Sequence, residues 1–136
     1  MKVIQIADGD SRGALAVDLK DVLELMGAKA TASRWRLSNM DATGNAEAAE
    51  LDRLSDEREM VDGGTLLQLA RNVWQVIDCE CEGFYHDQTT PWCIISAIDS
   101  TYYEVETDDA EVLNAIRAKY QCTSERDGDE YRAATS

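Results

Sequence analysis

Residues 76–85, "VIDCECEGFY", decide how the rest of the chain is read. Ile77, Cys79, Cys81 and Gly83 share one parity, and Asp78, Glu80 and Glu82 share the other. Side chains along a strand alternate between faces, so the spacing predicts a strand over 74–85 with one apolar and one acidic side. Two more strand-like runs follow closely: "WCIISAID" (92–99) after the loop "HDQTTP", then "STYYEVET" (100–107). With almost no residues between the last two, the chain must reverse in a tight turn at Asp99 and Ser100. Three strands in such close succession form an antiparallel meander, because parallel pairing needs a long crossover.

Working outward, residues 14–26 carry Leu15, Leu19, Val22, Leu23 and Met26 at helical spacing, and Gly27 follows where a helix end favours positive φ. "TASRWRLSN" (31–39) alternates, with Trp35 and Leu37 on one side and Arg34 and Arg36 on the other, and reads as a half-buried strand. Asn45 caps a helix over 46–58, Gly63 and Gly64 act as breakers, and Thr65 caps a short helix "LLQLARNV". "KVIQIA" (2–7) supplies a first strand. After the meander, Asp108 with Glu111 three residues on makes a capping-box-like start to a helix ending near Tyr120.

The expectation is an α+β fold in a single domain over residues 1–122: an antiparallel sheet of four to five strands, a C-terminal three-stranded meander, and helices on one face. Residues 123–136 lack periodicity and read as a flexible acidic tail. A length of 136 residues suits one domain. No apolar run approaches the ~18 residues that span a bilayer. The opening "MKVIQIADGD" is too short and too acidic for a secretory signal, which points to a cytoplasmic protein.

The formal charge is −14, and its distribution is uneven. Between Arg71 and Arg117 no basic residue occurs, while ten acids do. Such a field repels nucleic acid and anionic membranes and attracts basic partners, so direct binding to either is not expected.

Candidate chemistry is sparse. Cys79, Cys81, Cys93 and Cys122 could complete a tetrahedral zinc site in number, but no C-x-x-C knuckle exists. Fully extended, Cys79 and Cys81 lie about 6.6 Å apart on one face, too far to share a metal without a kink. Reduced, packed thiols are the simpler reading, and no metal or other cofactor is expected. The one histidine, His86, lies in the loop between two strands, where it could face Cys81 or Cys93, yet a loop histidine is more simply solvated. Gly63-Gly64 opens no phosphate-binding loop pattern. No catalytic residue is assigned, and a non-enzymatic role is expected.

The acids themselves remain. Asp78, Glu80 and Glu82 fall on one face of the first meander strand, and Glu104 and Glu106 share a parity on the third, with Asp108 and Asp109 at the rim. Evenly spaced anions on an open face resemble a nucleic-acid backbone in sign and spacing, and proteins that grip phosphates present Lys and Arg to them. The sequence therefore leads to an acidic binding protein, an inhibitor of the immunity or anti-defence type, contacting the basic nucleic-acid-binding surface of a partner such as a nuclease. The alternatives are a small cysteine-containing metal- or ligand-binding domain, and a self-associating subunit, possible as a homodimer, joined through the strand 92–99 if it lies at an edge.

Overall fold

The computed structural model describes residues 1–128. Along the chain run β1 (Lys2–Ile6), α1 (Leu19–Met26), α2 (Ala28–Thr31), β2 (Arg34–Thr43), α3 (Ala46–Glu57), β3 (Met60–Asp62), α4 (Gly63–Asn72), β4 (Gln75–Phe84), β5 (Cys93–Ile98), β6 (Tyr102–Thr107), α5 (Ala110–Lys119) and β7 (Thr123–Asp127). The fold is α+β: five helices and one open antiparallel sheet of seven strands, in the order β3-β2-β4-β5-β6-β1-β7.

The meander lies at the heart of this sheet. β5 pairs with β4 through Cys79–Ala97 to Gly83–Cys93, and with β6 through Cys93–Thr107 to Ile98–Tyr102. The reversal between β5 and β6 falls at Asp99 and Ser100, whose φ values of 51° and 56° are those of a type I′ turn. That turn matches the right-handed twist of the strands it joins. Asp78 steadies it by accepting a 2.7 Å hydrogen bond from the Asp99 N–H.

One face of the sheet is the core. Trp35 and Leu37 of β2, Cys79 and Cys81 of β4, Ile95 and Ala97 of β5, Tyr103 and Val105 of β6, and Ile4 and Ile6 of β1 all point to it. They meet Leu19, Val22, Leu23 and Met26 of α1, Leu51 and Leu54 of α3, Leu66 and Ala70 of α4, and Val112, Leu113 and Ile116 of α5 in one buried cluster. Every helix contributes its apolar stripe to that same side, so the helices form a second layer on one face.

Several expectations are corrected. The sheet has seven strands rather than four to five, because the sequence signals neither short edge strand, β3 or β7. Thr123–Asp127, expected in a flexible tail, is β7 and pairs with β1 from Lys2–Asp127 to Ile6–Thr123; the remainder of that expected tail, 129–136, lies outside the described residues. The strand 92–99 was considered as an association edge, but β5 is the middle strand, hydrogen-bonded on both sides.

Helix ends differ for local reasons. α1 begins at Leu19, where Asp18 forms a capping box with Asp21, and not at residue 14. α5 is capped by Asp109, which accepts from Val112 N–H at 3.1 Å, so Asp108 lies one residue outside the helix. Gly63 and Gly64 are not breakers: capped by Asp62, they form the first turn of α4. Gly63 is there for space, since a Cβ would clash with the Ala30 carbonyl of α2.

The β2–β4 ladder carries two irregularities that cancel. Between Ser38–Glu80 and Asp41–Asp78, β2 holds one residue more than its partner, and Asn39 takes φ 53°. Between Asp41–Asp78 and Ala42–Val76, β4 holds the extra residue, Ile77. The second bulge turns Val76 into the core in place of Ile77, which strict alternation had put there.

Candidate functional site

None of α1–α5 lies over the second face of the sheet, and the strand registers place its side chains in two rows. One runs Met60, Arg36, Glu82, Ile94, Glu106, Val3 and Arg126 across all seven strands. The other runs Ser38, Glu80, Ser96, Glu104, Gln5 and Ser124. Val3 and Phe84 are buried on this side, and both stand outside the core cluster beneath the helices.

Glu80, Glu82, Glu104 and Glu106 therefore do share one face, but they are not opposed across adjacent strands. β5 separates them and inserts Ile94 and Ser96 between the two acidic strands. Glutamates of β4 and β6 are thus two strand spacings apart, about 9.6 Å, which relieves the like-charge opposition that would destabilise direct neighbours. Val3, Glu80, Ile94, Ser96, Glu104, Glu106 and Arg126 line a shallow depression of about 140 Å³.

Arginines flank the acids from outside. Arg36 of β2 donates through two nitrogens to Oε1 of Glu82, at 3.2 and 3.0 Å. Its guanidinium also lies 5.3 Å from the centre of the Phe84 ring. Arg126 of β7 reaches over β1 to Oε2 of Glu104. The Glu82 and Glu104 side chains are 21% and 19% exposed, so their arginines shield them substantially. Glu80 is the exposed member, accepting a long 3.3 Å bond from Ser38 Oγ. The carboxylate of Glu106 lies against Gly128 at the end of β7.

Of the other three candidates, Asp78 keeps the parity of Glu80 at the end of this face, and Asp108 and Asp109 lie off it. Asp78 is occupied with the β5–β6 turn. Asp108 is exposed, 3.7 Å from the terminal ammonium of Met1. Asp109 belongs to the helical layer, where Lys29 donates to it at 2.7 Å. Burial pushes its carboxyl up, but the Lys29 ammonium and the Val112 N–H outweigh this and hold it below the ordinary carboxylate range. The face thus carries five of the seven candidates, with Asp78 at its end.

The cysteines and His86 do not form a catalytic pair. Cys79, Cys81 and Cys93 are buried on the core face, whereas the His86 side chain is 87% exposed beside Asp87. Cys79 and Cys81 approach to 3.8 Å between sulfurs, closer than full extension implied, because the side chains turn toward each other. The neighbouring Cys79 sulfur and burial both push the Cys81 thiol well up, and burial does the same for Cys93, so both stay protonated and poorly nucleophilic. Among the described residues, no three His, Cys, Asp or Glu side chains converge as a metal ion requires.

Sequence reasoning missed two features of the exposed surface. Trp74 is 79% exposed, its ring resting on Gly44 at the end of α4. Tyr85 stacks on Trp92 at 4.9 Å with the rings nearly parallel, while the Trp92 indole donates to Ser33 Oγ at 2.8 Å. A tryptophan at the start of a predicted strand suits an interface anchor or the core equally, so the sequence marks Trp74 and Trp92 without giving their direction. Among the described residues no helix is long and apolar enough to cross a membrane. No family model, curated protein or solved structure matches the chain.

Proposed function

We propose that this chain is a non-enzymatic binding protein whose open sheet face docks on a basic surface of a partner protein, namely a surface that otherwise holds nucleic acid. The observation that carries this reading is the pair of glutamate rows, Glu80 with Glu82 and Glu104 with Glu106, on the face opposite α1–α5. Along each strand the carboxylates repeat at about 6.6 Å, an anionic spacing that Lys and Arg arranged for phosphates can meet. The flanking Arg36 and Arg126 fix two of the four carboxylates in place, so less side-chain freedom is lost on docking. The overall charge of −14 extends the attraction beyond the contact itself and speeds encounter with a cationic partner. An inhibitor of the immunity or anti-defence kind, acting on a nuclease or another nucleic-acid-handling protein, fits this chemistry.

The test is recovery of partners from the native host at low salt, with the Glu80→Gln/Glu82→Gln double variant alongside. A protein that is lost from the variant, released as salt rises, and unable to bind nucleic acid while complexed would support the reading. Partners held equally by both proteins and indifferent to salt would end it, since exposed charges are screened beyond about 8–10 Å at ordinary ionic strength.

A further inference from the structure

We propose that Trp74 is the stacking platform of a site for a neutral saccharide, set at one end of the sheet and independent of the acidic face. Trp74 lies between α4 and β4 and is 79% exposed. A lone apolar side chain in water needs no explanation by itself; what singles out Trp74 is how it is held. Its backbone N–H donates to the Thr43 carbonyl at 2.9 Å, tying the turn before β4 to the turn after β2. Asn45 Nδ2 donates to the Asn72 carbonyl at 2.8 Å across the same two turns. The indole lies over Gly44, where φ is 138° and a Cβ would meet Trp74 N at 3.0 Å and Cγ at 3.3 Å. Glycine takes that backbone without strain and leaves the ring its room.

The neighbouring residues select the ligand. In a chain of net charge −14, neither 42–46, "ATGNA", nor 72–76, "NVWQV", holds a charged side chain. Arg71, just before the second stretch, is taken up by Glu24 at 2.9 Å. The two turns instead carry three exposed amides, Asn45, Asn72 and Gln75. Asn72 donates to the Gln68 carbonyl at 2.7 Å and Gln75 to Ser100 Oγ at 3.3 Å. Those bonds fix both side chains and, among the described residues, leave their amide oxygens open as acceptors. A pyranose matches this arrangement. Its C–H face, slightly positive, suits the negative face of an indole, and its hydroxyls suit amides.

The competing ligands fit less well. Nucleic-acid bases also stack on tryptophan, but their phosphates call for Lys or Arg, and these two turns supply neither against the chain's negative field. A protein partner calls for an apolar patch around its anchor. The other exposed large apolar side chains are Met60 and Tyr85. Met60 pairs with Arg36 in the row of Glu82, and Tyr85 follows the last residue of β4. Both are therefore roughly 25–35 Å from Trp74 along the strand. A neutral sugar is indifferent to the field and needs only the one ring.

The test is nitrogen-15 NMR of the whole chain, in which Trp35, Trp74 and Trp92 each give an indole N–H signal. The Trp74 signal is assigned by its loss in Trp74→Ala, with Trp74→Gln in reserve should that variant not fold. Maltohexaose, cellohexaose and chitohexaose are the probes, each up to about 10 mM, the range in which so small a contact is read. At least one of them is expected to shift the Trp74 indole and the backbone amides of 43–45 and 72–75, to leave the Trp35 and Trp92 indoles in place, and to do so at low and high salt alike. Trp74→Ala should weaken that binding about ten-fold, and Trp74→Tyr, which keeps a ring, about three-fold or less. No shift with any of the three sugars overturns the proposal, as does binding that high salt abolishes or that Trp74→Ala leaves unchanged. A Trp74 signal that moves with protein concentration alone would assign the ring to a contact between two copies and overturn it too. None of these outcomes bears on the acidic face, whose docking is read at Glu80 and Glu82.

Discussion

Replacing Gly63 by alanine tests the packing of α2 against α4, and with it the scaffold that holds β2 and β3. The backbone of Gly63 has an ordinary φ, so the substitution carries no conformational strain of its own. The cost is contact. A Cβ would lie against the Ala30 carbonyl oxygen and 2.8 Å from both Ala30 C and Thr31 Cα. Carbon atoms rest at about 3.5 Å, so the two helices must part by roughly 0.7 Å or more. The Ala30 carbonyl already accepts the indole N–H of Trp35 at 3.0 Å, and Trp35 is fully buried. Displacing that carbonyl leaves a buried donor short of its partner, worth about 1–3 kcal/mol, on top of about 1–3 kcal/mol for overpacking. A loss of about 3 kcal/mol is expected, or about 10 °C in Tm for a chain of this length. Gly64→Ala is the control. There the nearest atom is Asp62 Oδ1 at 3.3 Å, and alanine's better helix propensity, about 1 kcal/mol, should leave that variant as stable as the parent or more so. Urea unfolding followed by tryptophan fluorescence measures both. A Gly63→Ala midpoint within 0.5 kcal/mol of the parent (roughly the range of a neutral surface change) would refute the contact argument.

Three further outcomes follow from the same coordinates. Gly83→Ala would put a Cβ 2.8 Å from two carbons of the Trp35 ring and 3.2 Å from Cys93 Sγ, and should cost about 1–3 kcal/mol, read in the same urea assay. Burial pushes the Asp18 carboxyl up despite hydrogen bonds from the Leu19 and Val76 N–H groups and the Tyr103 hydroxyl. A raised folded pKa means this group's contribution is fully present below the unfolded value near 3.8 and is lost as pH rises through the folded one. Asp18→Asn, which keeps a good cap, should therefore gain on the parent between pH 4 and pH 8, and a gap that narrows over that range would contradict it. Cys122 is the exposed thiol, with Cys79, Cys81 and Cys93 buried, so a thiol reagent should modify one cysteine quickly in the native protein and all four in denaturant; two fast thiols would contradict the packing.

How much of this was legible in the sequence depends on where side chains had to point. The meander was readable because alternation over 76–85 and 102–107 reflects a real division between core and solvent. α3 was readable for a different reason: Asn45 is a strong cap, and the helix stops at Arg58 in the left-handed region, within a residue of expectation. β3 and β7 were not readable. "MVD" is too short for alternation to show although Val61 reaches the core, and "TSERD" carries no apolar residue, since an edge strand can pair through its backbone without a hydrophobic signature. The four-glutamate plane followed from parity and its division by β5 from the meander, but which side of β5 faces outward did not, because isoleucine occurs on both parities of that strand. Asp109 illustrates the limit most directly. Two adjacent aspartates precede α5, and only the Thr107 hydroxyl, which accepts from the Asp109 N–H at 3.1 Å, and Lys29 from a distant helix decide which of them caps it.

The place of β1 between β6 and β7 has a consequence for synthesis. As a ribosome makes this chain, β1 emerges before the strands it pairs with and has no ladder to join until Tyr102–Thr107 and then Thr123–Asp127 have followed it out. Contacts so distant along the chain form slowly and leave the early segment unaccompanied in the meantime. "KVIQI" is short, and Lys2 and Gln5 interrupt its apolar residues, which lowers the hazard of that wait. Closure of the sheet thus waits for Thr123–Asp127, and a chain cut before Thr123 would leave β1 as a bare edge.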